Sequence, residues 1–183
     1  MKNLFYALLC VGIFIPTISS GQTMVFEDFT NNPGVRWKFI TDQVMGGVST
    51  GNLEFRNEAN KNFARMTGMV SLENKGGFIQ FRRKVVRQFD KNLSGLLVSL
   101  RGDGETYYIH LRTSGTFLPW QYYQASFKSE KKWKTVKIPF SEFRKSGWIL
   151  SDNINPKNIN SIGIVAFGKK QFVNIDVKKI SLY

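Results

Sequence analysis

The chain has 183 residues, with Cys10 as its only cysteine and His110 as its only histidine. That inventory excludes a disulfide framework, a zinc site built on cysteines and one built on two histidines. Lys and Arg number 26 against 13 Asp and Glu, a formal +13, so the surface either suits anionic partners or serves as a solvated basic coat.

In chain order, Lys2 precedes an apolar run from Leu4 to Ile15, then Pro16 and the small, polar stretch Thr17-Ile18-Ser19-Ser20-Gly21. A short positive region, an apolar core and a small-residue exit compose a secretory signal. The run is about twelve residues, short of the roughly twenty that a transmembrane helix needs. The expected division is a signal peptide over 1–21 and one domain over 22–183. The expected location is periplasmic or secreted, with no membrane span in the mature chain and a monomeric state. Loss of Cys10 leaves no thiol nucleophile, and about 160 residues suffice to bury one hydrophobic core. The expected export also speaks against nucleic acid as a partner.

The remainder reads as strands. Leu96, Val98 and Leu100 alternate with Leu97, Ser99 and Arg101, and Tyr107, Ile109 and Leu111 with Tyr108, His110 and Arg112. The same period of two recurs at Val136, Ile138 and Phe140, at Ile162, Ile164 and Ala166, and at Val173, Ile175 and Val177. Residues 63–72, 77–86 and 122–127 are further strand candidates. One buried face per strand explains the alternation. Turn chemistry separates the runs at Asn31-Asn32-Pro33-Gly34, Met45-Gly46-Gly47, Asn74-Lys75-Gly76-Gly77, Gly102-Asp103-Gly104 and Ser114-Gly115. The only helical signal is one short turn at Ser141-Glu142-Phe143. The fold class is therefore all-β, an antiparallel β-sandwich or jelly roll.

The chemistry-bearing residues are few. His110 stands on the outward register of its strand and reads as a surface histidine. No nucleophile-elbow pattern is present, and the close carboxylate pairs are Glu27-Asp28 and Asp103-Glu105. A hydrolase or lyase would have to draw on Asp103 or Glu105 with Asp42, so the expectation is a non-enzymatic binding module. No cofactor is expected. Glu27, Asp28 and Asp176 near the chain ends are candidate oxygen ligands of a structural calcium. Trp120 beside Pro119, with Tyr122 and Tyr123, is a candidate stacking surface for sugar. Two glycine-rich loops, Met45-Gly46-Gly47-Val48-Ser49 and Arg101-Gly102-Asp103-Gly104, let backbone approach a ligand or a neighbouring strand closely.

Trp37-Lys38-Phe39-Ile40-Thr41-Asp42-Gln43-Val44-Met45-Gly46-Gly47-Val48-Ser49, then Gly76-Gly77-Phe78, then Leu100-Arg101-Gly102-Asp103-Gly104 with Tyr107, form an ordered set. With Trp133, Ile138-Pro139-Phe140-Ser141, Phe143 and Ile162-Gly163-Ile164, they resemble the complex I intermediate-associated protein 30 family. The resemblance runs from about Trp37 to Leu182. It implies a galactose-binding-like β-sandwich and a non-catalytic role with assembly intermediates of NADH:ubiquinone oxidoreductase. The family motif residues are Asp42, Met45, Gly46, Gly47, Ser49, Gly76, Gly77, Arg101, Gly102, Asp103, Gly104 and Tyr107. The expected partner is a protein or a glycan in the cell envelope, or an anionic surface. Carbohydrate binding through the loop aromatics is the alternative function.

Overall fold

The alternating segments pair into two antiparallel sheets in the computed structural model, which describes residues 23–183; the expected signal peptide lies outside the described residues. The strands are β1 (Met24–Glu27), β2 (Trp37–Thr41), β3 (Thr50–Glu58), β4 (Lys61–Val70), β5 (Phe78–Lys84) and β6 (Gly95–Gly102). They continue with β7 (Thr106–Thr113), β8 (Tyr123–Lys128), β9 (Lys134–Pro139), β10 (Arg144–Lys145), β11 (Ile159–Phe167) and β12 (Gln171–Leu182). The first sheet runs β3-β4-β12-β6-β9, and the second β10-β8-β7-β11-β5-β2. Twelve-residue β12 outruns β4: its first half pairs β4 through Val177 opposite Ala64, and its second half pairs β1 through Ile180 opposite Glu27.

The core lies between the sheets. Leu96, Val98, Leu100, Met66, Ile175 and Ile180 of the first sheet pack with Ile79, Phe81, Tyr107, Ile109, Leu111, Ile162 and Ile164 of the second, all fully buried. Each buried Leu, Ile, Phe or Met contributes about 1.5–3 kcal/mol relative to exposure. The inward set is the one expected from period two. The helical turn is a single 3-10 turn over Phe140–Glu142; each expected strand falls on an observed one, but β11 begins three residues before Ile162 and β12 continues five beyond Val177.

Four strands, β1, β2, β3 and β10, are not among those expected from the sequence, and β3 is the longest of them. β3 reads TGNLEFRNE and offers only Leu53 and Phe55 to its neighbours. It is an edge strand, paired along its whole length with β4 through a two-residue turn at Ala59-Asn60. Both turn residues have positive φ, +48 and +60, the geometry that matches strand twist in a tight hairpin.

The outer face of the second sheet follows by parity. With Tyr107, Ile109 and Leu111 inward, Tyr108, His110 and Arg112 point away from the core.

Candidate functional site

The first glycine-rich loop closes on itself. Asp42 is fully buried, and its carboxylate accepts hydrogen bonds from the Ser49 amide (2.9 Å), the Ser49 hydroxyl, the Gly77 amide (2.6 Å) and the Phe78 amide (3.3 Å). A Cβ on Gly47 would stand 2.3 Å from the Asp42 carboxyl carbon, and one on Gly76 2.4 Å from its Oδ2. Burial alone would raise this carboxyl's pKa, but the hydrogen bonds from Ser49, Gly77 and Phe78 outweigh it and hold the group below the usual range. Gly46, at φ +90, ends the 3-10 turn Asp42–Met45. Asp42, Gly46, Gly47, Ser49, Gly76 and Gly77 are thus one internally satisfied knot joining the β2–β3 and β4–β5 connections. Met45 stands outside it, exposed at the turn.

The second loop is also satisfied from within. Asp103 accepts from the Tyr107 hydroxyl (2.9 Å) and the Asn174 amide (3.0 Å), and Gly104 donates to Ser129 Oγ (3.0 Å) at φ +94. A Cβ on Gly102 would meet the Ser129 side chain at 2.8 Å. Burial first, then the Asp103 charge, push the Tyr107 phenol well above its ordinary value. Tyr107 belongs to the second sheet and Asn174 to the first, so this knot ties the two together. Arg101 pairs with Asp176 (2.8 Å) and lies 4.6 Å from the Trp133 ring centroid.

The proposed calcium ligands are not gathered. Glu27 accepts from Arg36, Arg83 and the Trp37 indole, Asp176 from Arg65 and Arg101, and Asp28 from Thr30. Among the described residues no cluster of three or more His, Cys, Asp or Glu is placed to hold a metal. The three stacking candidates also part company. Trp120 is exposed on its loop, Tyr122 lies over His110, and Tyr123 is in the core with its hydroxyl on the Ser151 carbonyl (3.0 Å). β8 begins at Tyr123, so neighbours in sequence fall on opposite faces.

What the structure does assemble is the outer face of the second sheet. Pairing registers set Lys38, Arg82, Gly163, His110, Gln124 and Arg144 in one row across all six strands. At about 4.8 Å between neighbouring strands, the row spans roughly 24 Å. Gly163 carries no side chain in its middle. Over the row lie Tyr122, ring to ring with His110, and Phe167, edge-on to His110, Tyr108 and Tyr122.

Two features distinguish this face from the other sheet. First, β2, β5, β7, β8, β10 and β11 contain no Asp or Glu, whereas the other sheet carries Glu27, Glu54, Glu58 and Asp176. Second, polar groups here lack partners among the described residues: His110 Nε2 and Gln124 Oε1 are buried without a hydrogen bond, and Arg82 makes no hydrogen bond or ion pair. Burial, and then the nearby charge of Arg112, lower the Arg82 pKa. Burial lowers that of His110 to about 4, so the ring is neutral at ordinary pH. His110 is therefore half-buried and under an aromatic lid, a correction to its reading as a surface histidine. The signal available in the sequence was the absence of acids from six strand segments, which only the topology collects on one face.

The sequence profile of the family described as Complex I intermediate-associated protein 30 matches residues 27–175. A curated relative, "Complex I intermediate-associated protein 30, mitochondrial" of Drosophila melanogaster, is 31% identical over 143 residues, 67% of this chain and 48% of its own. The chain thus spans about half the length of that relative. Among solved structures, a family 11 carbohydrate-binding module of a Clostridium thermocellum cellulosomal cellulase superposes with TM-score 0.71 at 15% identity, covering 88% of this chain and 94% of the module. A family 30 carbohydrate-binding module gives TM-score 0.53 at 11% identity, over 73% of each chain. These likenesses show the fold, a galactose-binding-like β-sandwich.

The description of the Drosophila relative as mitochondrial overturns the expectation of a periplasmic or secreted protein, and with it a cell-envelope setting for the partner. The physical reason is that one lysine and about twelve apolar residues establish an apolar start rather than a destination, and that start lies outside the described residues. The ordered motifs from Trp37 onward are the firmer guide, and they agree with the profile: the chain belongs to the complex I intermediate-associated protein 30 family.

Proposed function

We propose that this chain is a non-catalytic binding module that engages an acidic segment of a complex I assembly intermediate across the outer face of its second sheet. The observation that carries the reading is the acid-free sheet with the unpartnered Arg82 on β5, one strand in from its edge. A partner carboxylate reaching Arg82 would supply the acceptor that the fold does not. Family membership supports the choice of partner. Such a contact is charge-assisted and weakens with salt.

Co-purification from detergent-solubilised membranes tests it. The wild-type chain retains subunits of the oxidoreductase, and Lys38→Glu with Arg82→Glu releases them by at least tenfold, as expected for loss of about 1.4 kcal/mol or more. Undiminished recovery by the doubly reversed variant would sink the reading.

A second reading places a glycan on the same floor, favoured by the Tyr108, His110, Tyr122 and Phe167 rings beside the Gln80 and Gln124 amides. Titration with a mixed-linked β-glucan tetrasaccharide separates the two: heat that vanishes in Tyr122→Ala supports the sugar, and a flat titration removes it.

A further inference from the structure

A different part of the molecule displays apolar surface on a fixed frame. The β7–β8 loop and the segment following β10 are held together by Ser146. Its amide donates to the Tyr122 carbonyl (2.9 Å), its hydroxyl donates to the Trp120 carbonyl (2.8 Å), and the same hydroxyl accepts from the Tyr122 amide (2.9 Å). Buried Gln121 braces the loop from beneath, its Oε1 accepting from the Phe117 and Leu118 amides at 2.8 and 3.0 Å. Arg112 fastens the Leu118 carbonyl at 2.8 Å.

What this frame presents is large and apolar. Phe117 is 83% exposed and Trp120 66%, while Trp148 and Ile149, two and three residues beyond Ser146, are 87% and 67% exposed. Three of the four exposed Phe and Trp side chains among the described residues are in these two short segments. Each aromatic ring can bury about 150–250 Å², so together they reach the upper range of apolar patch found on an ordinary monomer.

Within the two segments themselves the charge has one sign. Residues 112–122 and 144–150 contain Arg112, Arg144 and Lys145 and no Asp or Glu. Lys145 is paired with Asp152 (2.7 Å), which leaves Arg112 and Arg144 to set the local field beside the acid-free sheet.

We propose that these two segments seat the protein on a membrane surface bearing anionic lipid, with Trp120, Trp148 and Phe117 entering the interfacial zone and Arg112 and Arg144 facing headgroups. An indole joins an apolar body to one N–H donor, which suits the boundary between headgroup and acyl chain. A protein partner would instead call for rings seated in or facing a recess, and these stand on tips with most of their surface free. Basic side chains near an anionic leaflet add attraction that falls off within a Debye length. No helix among the described residues is long and apolar enough to cross a membrane, and the association is a peripheral one.

Flotation of the full chain with vesicles tests this, using phosphatidylcholine alone and phosphatidylcholine mixed with phosphatidylglycerol. The wild type floats with the mixed vesicles, its tryptophan emission shifts to the blue, and added salt weakens the binding. Trp120→Ser with Trp148→Ser loses binding on the order of tenfold while its thermal melt is unchanged, since both rings are exposed. Absence of flotation, equal binding to both vesicle types, or full binding by the double variant would each overturn the proposal. If the wild type ignores vesicles while the double variant loses a protein partner from solubilised membranes, the patch is a protein contact and the lipid assignment falls. The sheet-face reading has its own variants, Lys38→Glu and Arg82→Glu, so the two fail separately.

Discussion

The His110 imidazole and the Tyr122 phenol lie ring on ring, 4.0 Å between centroids and 10° from parallel. The stack covers a buried histidine whose Nε2 has no well-formed hydrogen bond, so protonation would place a charge where only the Gln124 amide stands to offset it. Burial is the first cause of its lowered pKa, about 4 against an ordinary 6.5, partly opposed by Gln124. A folded-state pKa below the unfolded one means that the native state binds fewer protons. Its contribution is intact above pH 6.5 and is lost as the pH falls from there towards 4. The full shift corresponds to about 3 kcal/mol. The histidine is unique in the chain, so one imidazole resonance in a proton NMR titration reports it without ambiguity. A midpoint near 4, and a urea midpoint that declines between pH 6.5 and 4 in the wild type but stays flat in His110→Gln, are expected. A midpoint at 6.5 would show the ring to be solvated.

Gly47 and Gly76 press against opposite sides of the Asp42 carboxylate, and neither has room for a methyl group. Gly47→Ala must push the carboxylate off the Ser49 and Gly77 amides or open the loop, a cost of about 2–4 kcal/mol. Asp42→Asn leaves those donors facing an amide and removes the charge. Because the folded pKa of Asp42 is lowered, its stabilisation is present above the unfolded value near 4 and disappears as the pH drops through the folded one. Denaturant melts from pH 7 to pH 2 check both points. Gly47→Ala is expected to be weaker throughout, and Asp42→Asn to be weaker at neutral pH with a shallower acid limb. A neutral outcome for Gly47→Ala would mean that the loop repacks freely.

The inward faces were legible because period two states them directly: Leu96, Val98 and Leu100 need no tertiary information to be assigned to a core. β3 was not, since a strand contributing Leu53 and Phe55 to one edge has too little apolar surface to leave a pattern. The candidate site was harder still. Lys38, Arg82, His110, Gln124 and Arg144 are spread along the chain from position 38 to position 144, and the order β10-β8-β7-β11-β5-β2 is what makes them neighbours. The glycine-rich loops drew notice from sequence for a sound reason, close backbone approach. What approaches, however, is the molecule's own Asp42 and Ser129.

Asp176 is almost fully buried and answers two arginines, Arg65 at 2.6 and 2.7 Å through a two-pronged contact and Arg101 at 2.8 Å. Both guanidiniums are partly exposed, so removing one still leaves the carboxylate a partner. Removing the carboxylate strands Arg65 and leaves Arg101, of like sign beside it, only its pairing with Glu58. Asp176→Ala is therefore expected to cost about 3–5 kcal/mol, and Arg65→Met considerably less. Equilibrium urea unfolding of the two variants and of the double variant gives the coupling. Equal losses for both single variants would show that the arginines act as one rigid clamp.

Ala59 is a side-chain-bearing residue at φ +48 in the β3–β4 turn, next to Asn60 at +60. Asparagine tolerates this region, because its short polar side chain can bond locally. Alanine has no such compensation, and the left-handed conformation costs an L-residue about 1–2 kcal/mol. Glycine at this position removes that strain but loses more chain entropy on folding, about 0.5–1 kcal/mol. The balance favours Ala59→Gly by some tenths to about 1 kcal/mol, which for a domain of this size raises Tm by about 1–4 °C. Ala59→Val adds a branched Cβ to the same strained backbone and is expected to lower Tm. Differential scanning calorimetry of the three proteins orders them as glycine, alanine, valine. Any other order would mean that the hairpin does not close through this turn.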